Sequence, residues 1–402
     1  MINISKLFCF QETSGDRIRY GKRVHSSSST VSEDVPESAS CRRPVTVWNI
    51  TRTCNLKCIH CYTDSHNKIY EGELTTKEGK ILLKDLVDFK IPAILFSGGE
   101  PLIRKDIFDL VNYANSLGLR CTLSTNGTLI TEEIAEKIKK SGFTYVGISL
   151  DGIGEINDRF RGQEGVFQKA VKAFRNCRQA GQKVGLRLTL TKHNYRDLHG
   201  IFDFIEKEGI ERACFYHLAY SGRGRQISGD DLSPAETRDA LDIIIERTED
   251  FHKRGLKKDI LTVANHADGI YVYLKLLKKG EEEKAEEARK LLFWNKGGMY
   301  SSGVGIACID FQGEVHPDQF WMHYSFGNIR ERPFSQIWMD TTNPLMAGLK
   351  DRKKLIKGRC ALCKWIDLCG ASMRVRSDII YGDPWESDPA CYLSDEEIGF
   401  PG

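Results

Sequence analysis

From residue 45 onward, short apolar runs alternate with longer amphipathic stretches, and the alternation repeats about six times. The apolar runs cover 45–49, 93–96, 119–124, 145–150, 184–190 and 212–217. Within them, residues two apart share character. Val184, Leu186, Leu188 and Leu190 form one set, and Gly185, Arg187 and Thr189 form the other. Val146, Ile148 and Leu150 oppose Gly147, Ser149 and Asp151 in the same way. Successive side chains of a strand point to opposite faces, so one face packs on helices and the other lines something polar.

Between these strands the helical signals are equally regular. Thr75 and Glu78 make a capping-box signature before a helix carrying Ile81, Leu82, Leu86 and Phe89. Helices over 107–117, 132–140 and 166–180 run into Gly118, Gly142 and Gly181, the residue type that closes a helix in the left-handed conformation. A further helix covers 197–207. Strands alternating with helices imply a parallel sheet and an α/β fold. Six such units predict a partial (β/α)6 TIM-like barrel rather than the closed eight-stranded form.

The flanks read differently. Residues 1–44 form an extension in which Ser26-Ser-Ser-Ser-Thr30 and positions 33–40 make a flexible polar linker. The barrel is expected over 45–220 and a helical, highly charged connector over 221–300, where 281–290 is a solvated face. A smaller C-terminal domain is expected over 301–402, opening with short strands at 304–310 and 314–316 around the turn Gln312-Gly313.

Composition excludes more than it assigns. A net charge of +3 without a basic stripe does not suit a nucleic-acid binder. No apolar run approaches the roughly 20 residues of a membrane span. The first ten residues lack a signal-peptide layout, so a cytoplasmic location is expected. In that compartment the 13 cysteines read as ligands or buried thiols rather than disulfides. Cys9, Cys41, Cys121, Cys177, Cys214 and Cys308 are scattered and read as incidental.

The other seven cysteines fall into two groups. Cys54, Cys58 and Cys61 stand at CxxxCxxC spacing directly after the first strand. A zinc ion would want a fourth protein ligand, for which His60 and His66 are the candidates. Three thiolates fit three irons of a [4Fe–4S] cubane and leave the fourth iron open. Cys360, Cys363, Cys369 and Cys391 form the second group, readable as structural zinc or as an auxiliary iron–sulfur cluster. Polar motifs also end successive strands: Ser97-Gly98-Gly99-Glu100-Pro101, Ser124-Thr-Asn126-Gly127 and Ser149-Leu-Asp151-Gly152. Ligands of parallel sheets bind at such carboxyl ends. Glycines permit close backbone approach, and Glu100 offers a carboxylate to an ammonium group.

Together the cysteine loop and these motifs resemble the radical S-adenosylmethionine (SAM) superfamily. That resemblance implies a [4Fe–4S] cluster on Cys54, Cys58 and Cys61 whose open iron chelates SAM. His60 stands where the family has an aromatic residue. Gly98, Gly99 and Glu100 would meet the SAM amino group, and Ser124 and Ser149 its ribose or carboxylate. Asn126, Asp151 and Arg187 complete the cofactor-side candidates. The second group resembles a SPASM-type extension, with four cysteines instead of seven and Asp318 where a full extension has cysteine. One auxiliary [4Fe–4S] cluster is therefore implied.

Further segments resemble the tetrapyrrole-modifying members of alternative haem and haem d1 biosynthesis. They are the opening Ile4-Ser-Lys-Leu-Phe-Cys9 with Gly15-Asp16 and Arg19-Tyr-Gly21, then Tyr220-Ser-Gly-Arg-Gly224 and Asn265-His-Ala-Asp-Gly269. Gly313-Glu-Val-His-Pro-Asp318, Asn343-Pro-Leu-Met346 and Gly382-Asp-Pro-Trp385 follow. The implied reaction removes the two acetate arms of 12,18-didecarboxysiroheme and yields iron-coproporphyrin III. Conversion of the propionates of that precursor toward haem d1 is one alternative; peptide modification is another, though residues 1–44 are too short and Ser-rich for the usual peptide-binding unit. An electron donor such as ferredoxin or flavodoxin is implied. A polycarboxylate substrate needs cationic anchors, for which Arg223, Arg225, Arg374 and Arg376 are candidates. His316 or His323 is placed to meet its iron, and Tyr216 and His217, at the sixth strand end, are the catalytic candidates.

Overall fold

The alternation resolves into one ten-stranded sheet in a computed structural model that describes residues 1–13, 16 and 42–400. The strands are β1 (Ile2–Asn3), β2 (Val45–Thr51), β3 (Ile94–Gly98), β4 (Cys121–Thr125), β5 (Tyr145–Ser149), β6 (Val184–Leu190), β7 (Arg212–His217), β8 (Asp259–Val263), β9 (Ile306–Ile309) and β10 (Val315–His316). Their order is β1-β8-β7-β6-β5-β4-β3-β2-β9-β10. Neighbours from β8 across to β9 run parallel, and β1 and β10 finish the two edges antiparallel.

The parallel run thus holds two strands more than the six expected. β8 lies inside the stretch read as a helical connector. Its five residues sit between the long helices Pro234–Lys253 and Ala267–Lys278, whose charged pattern masks so short an apolar segment. β9 was expected as a strand of the C-terminal module, yet it pairs with β2 and extends the barrel sheet. Periodicity identifies a strand but is silent about its partner.

Helices cover the outer face as the pattern requires. The helix Thr76–Asp88 starts at a complete capping box between Thr75 and Glu78. Gly79, Leu82, Leu83 and Leu86 form its buried stripe, and Ile81 lies off that stripe and is exposed. Gly79 is there because a Cβ would stand 2.7 Å from the ring of Trp48, which is fully buried. Each such buried side chain contributes about 1.5–3 kcal/mol relative to exposure. On the inner face, Gly147 clears room for Arg187, whose Cδ a Cβ at residue 147 would approach to 2.6 Å.

Of the opening resemblance, Asp16 is described and accepts from Thr13 N and Oγ1. Gly15, Arg19-Tyr-Gly21, the Ser26–Thr30 run, positions 33–40 and Cys41 lie outside the described residues. Among the described residues no helix is long and apolar enough to cross a membrane.

Candidate active site

The three loop cysteines follow β2 at the carboxyl end of the parallel sheet. Cys54 N donates to His66 O at 3.0 Å, Gly99 N to Thr51 O at 2.7 Å and Glu100 N to Thr53 O at 2.9 Å. These bonds stitch the cysteine loop onto the Gly98-Gly99 turn. Gly98 has φ +134°, and a Cβ on Gly99 would lie 2.2 Å from Thr53 O. Both glycines are therefore demanded by the approach of the loop backbone. The Tyr220–Gly224 segment braces the other side. Gly222 abuts the Cys61 and Tyr62 carbonyls, and Arg223 Nε donates to Cys58 O at 2.8 Å. Arg223 Nη1 reaches Asp64 at 2.7 Å and Ser65 O at 3.0 Å. Arg223, expected as a substrate anchor, is instead a buried strut of the cysteine loop.

Each loop sulfur faces hydrogen-bond donors, as a thiolate set requires. Cys54 Sγ accepts from Leu56 N at 3.4 Å and Asn126 Nδ2 at 3.9 Å, and Cys58 Sγ from Arg161 Nη1 at 3.7 Å. Cys61 Sγ accepts from Ser65 N at 3.5 Å and stands 3.3 Å from Thr63 Oγ1. Burial pushes the Cys54 thiol up to about 12 and raises that of Cys58, so both need a cationic group to ionise. Three thiols that line one cavity and face hydrogen-bond donors fit an iron–sulfur cluster.

The three cysteines line a cavity of about 150 Å³ at the barrel mouth. Gly98, Gly99, Ser124, Asn126, Ser149 and Arg187 line it as expected, and so do His60, Tyr216 and His217. His60 packs against Phe160 with ring centroids 4.7 Å apart, and burial pulls its pKa down to about 4, leaving a neutral ring. It thereby fills the aromatic position. Two candidates stand behind the wall. Glu100 is fully buried, and its carboxylate accepts from Leu102 N, Thr125 Oγ1 and Asn126 N at 3.1, 2.8 and 2.8 Å. Asp151 is likewise buried, accepts from Thr189 N at 2.7 Å and pairs with Arg161. Both carboxylates hold strand ends in place. The polar motifs singled them out as cofactor contacts, but period-two reasoning cannot tell a lining carboxylate from one folded back onto backbone donors.

Arg161 and Tyr62 are the site residues that pattern reasoning missed. Arg161 ends the helix Glu155–Arg161, where a charged residue reads as solvated, yet it is buried and lines the cavity. Gly162 after it abuts Lys57 O of the cysteine loop, a contact with no sequence signature. Tyr62 Oη lies 3.0 Å from Ser97 Oγ and donates to Asn49 at 3.2 Å.

A second, larger cavity of about 930 Å³ adjoins this one, and Tyr62 and Thr63 line both. Arg225, Arg52, His323 and Tyr324 also line it. His323 Nε2 lies 2.6 Å from Asp378 Oδ2, which accepts from Trp321 Nε1 at 2.8 Å. His316 lies elsewhere: it is buried, and its Nδ1 lies 2.7 Å from Tyr324 O. Arg374 and Arg376 are also withdrawn as anchors. Both are fully buried, Arg374 donating to Pro384 O and Glu386 O and Arg376 pairing with Asp388 at 2.6 and 2.9 Å.

Cys360, Cys363, Cys369 and Cys391 meet around one small cavity. Cys363 Sγ accepts from Trp365 N and Cys391 Sγ from Arg359 Nη1, both at 3.4 Å. Burial pushes Cys369 well above the usual thiol range and Cys391 up to about 11. This set also fits a cluster with four thiolate ligands. Asp318, where a full extension has cysteine, is buried, bonds to Ser302 and accepts from Phe320 N at 2.7 Å, with the buried Arg352 donating to Ser302 O at 2.7 Å. That corner is filled by protein. Cys308, the spare thiol, is buried and accepts from Asn49 Nδ2 at 3.4 Å.

A three-thiol loop at the carboxyl mouth of a parallel α/β barrel, opening on a cavity that the strand ends line, defines an enzyme that works through a bound cluster. The chain belongs to the radical SAM superfamily, whose model matches residues 48–205. It is 52% identical to the Fe-coproporphyrin III synthase of Methanosarcina barkeri, over 100% of this chain and 99% of that protein. It is 42% identical to the pre-heme d1 synthase of Dinoroseobacter shibae, over 89% and 88% of the two chains. Streptococcus suis SuiB bound to S-adenosylmethionine has the same fold, with a TM-score of 0.67 and 20% identity over 88% of this chain and 78% of that one.

Proposed function

We propose that this radical SAM enzyme removes the two acetate side chains of 12,18-didecarboxysiroheme and releases iron-coproporphyrin III. The observation that carries the reading is the 52% identity to an Fe-coproporphyrin III synthase along the whole chain. Cys54, Cys58 and Cys61 would hold a [4Fe–4S] cluster that, with SAM, would supply the hydrogen-abstracting radical chemistry that lets a bond between unactivated carbons be cleaved.

The chain's own residues divide the remaining work. Gly98 and Gly99 bring the loop against the strand ends, and Ser124, Asn126, Ser149 and Arg187 present polar groups to SAM in the inner cavity. The outer cavity, of about 930 Å³, suits a macrocycle. Arg225 is exposed on its wall and available to a carboxylate. Cys360, Cys363, Cys369 and Cys391 would hold one auxiliary [4Fe–4S] cluster that serves electron transfer or substrate anchoring. A ferredoxin or flavodoxin supplies electrons, and the reaction takes place in the cytoplasm. The 42% identity to a pre-heme d1 synthase supports the alternative, conversion of the propionates.

Anaerobic incubation of reconstituted protein with SAM, reductant and 12,18-didecarboxysiroheme, followed by mass analysis, separates the readings. Iron-coproporphyrin III is the expected product. A product with acetates intact and propionates altered favours the alternative, and an untouched macrocycle defeats both.

A further inference from the structure

His217 and the Asn265-His-Ala-Asp-Gly269 segment meet inside the protein. His217 closes β7, lines the inner cavity and is 5% exposed. Its Nε2 lies 2.9 Å from Asp268 Oδ2. The other carboxylate oxygen, Oδ1, accepts the Tyr392 hydroxyl at 2.9 Å. Asp268 and Tyr392 are buried, and Asp268 sits in the first turn of the helix Ala267–Lys278, where the helix dipole favours a carboxylate. Tyr392 directly follows Cys391, and Asn265, which lines the second cysteine cavity, donates to Ala390 O at 2.9 Å. Three buried polar side chains therefore run from the inner cavity to the second cysteine group.

The Tyr392 hydroxyl donates to the Asp268 carboxylate, which offers only acceptors. Asp268 then accepts on both oxygens, and His217 carries hydrogen on Nε2. Nδ1 remains for the cavity. A carboxylate behind an imidazole fixes the ring's orientation, and between Asp268 and a substrate carboxylate the ring would carry hydrogen on both nitrogens and donate from Nδ1. Of the other basic groups nearby, Arg161 pairs with Asp151, Arg187 bonds the Tyr216 hydroxyl and is assigned to SAM, and His266 is held neutral by burial.

Resting on the deacetylase reading, we propose that His217 binds substrate, donating from Nδ1 to the carboxylate of the acetate arm placed for removal. Asp268 and Tyr392 are positioning residues that tie its orientation to the second cysteine group. Such a contact distinguishes substrate from product, because iron-coproporphyrin III has lost those arms.

The test is equilibrium titration of reconstituted full-length protein, by absorbance, with 12,18-didecarboxysiroheme and separately with iron-coproporphyrin III. Wild type is expected to prefer the acetate-bearing macrocycle. His217→Gln and Asp268→Asn lose about tenfold in affinity for it, as removal of a charge-assisted hydrogen bond predicts, and keep their affinity for iron-coproporphyrin III within about twofold. Tyr392→Phe loses about threefold in the same selective way while retaining wild-type iron content. Equal weakening toward both macrocycles, or no change toward either, overturns the inference. If wild type converts the substrate and the variants discriminate as it does, only the role of His217 fails. Wild type that binds neither macrocycle defeats the deacetylase reading and this inference with it.

Discussion

The Arg161 guanidinium stands 3.7 Å from the Cys58 sulfur, and its other arm holds the buried Asp151 carboxylate. Burial opposes the charge on Arg161, and Asp151 and Cys58 more than restore it. One cation thus serves both a cluster ligand and the end of β5. Arg161→Met is expected to leave the buried Asp151 charge without its cation, at a cost of about 3–5 kcal/mol. Urea unfolding of the metal-free chain measures this, and Asp151→Asn added to Arg161→Met should recover most of the loss. A single variant within about 1 kcal/mol of wild type would show that the pair is not coupled.

Glu100 gives a pH signature. Burial pushes its carboxyl up to about 7 from 4.5, against the pull of the Asn126, Thr125 and Leu102 donors. Because the folded pKa is the higher one, the folded chain binds the extra proton between these values. The stabilisation is complete below about 4.5 and is lost as pH rises toward about 7. Within that window the metal-free wild type should lose on the order of 1 kcal/mol per pH unit relative to Glu100→Gln. Urea denaturation across the window, run on both proteins, checks it, and parallel profiles would contradict it.

Gly99 is a steric prediction. A Cβ there would meet Thr53 O at 2.2 Å, a backbone atom of the segment that leads into the cysteine loop. Gly99→Ala should displace the loop and lower SAM affinity at least about tenfold, a cost typical of forced backbone movement at a binding site. Isothermal titration with SAM on the reconstituted protein measures the loss. An unchanged affinity would mean that the loop position is not what binds SAM.

How much of this site was legible in the sequence differs by residue. The CxxxCxxC loop, the strand-end serines and the Thr75 capping box are local patterns, and each reappears where periodicity put it. Arg187 was placed on the inner face by its alternation with Leu186 and Leu188, and it lines the cavity. Pairing was not legible: β9 joining β2, and β8 hidden between charged helices, depend on contacts far apart in sequence. Charge was the most misleading guide. Arg223, Arg374 and Arg376 looked like surface anchors, but each is buried and satisfied by carbonyls or carboxylates, and composition carries no sign of that. Arg161 was invisible for the same reason, and the Asn265–Gly269 segment was named without the burial of its Asp268.

The second cysteine group predicts an iron count. Replacing Cys360 and Cys363 with alanine should lower iron from about eight to about four per chain, because each cubane holds four. Iron and sulfide analysis after anaerobic reconstitution decides it. About four irons in wild type, or one zinc retained by the second group, would contradict the auxiliary cluster.

Counting 5′-deoxyadenosine against tetrapyrrole product in one anaerobic reaction tests the central claim most directly. With reductant, SAM and 12,18-didecarboxysiroheme, wild type should release about two 5′-deoxyadenosines per iron-coproporphyrin III, one for each acetate arm, and Cys58→Ala should release neither. Iron-coproporphyrin III formed without 5′-deoxyadenosine, or formed by Cys58→Ala, would contradict it.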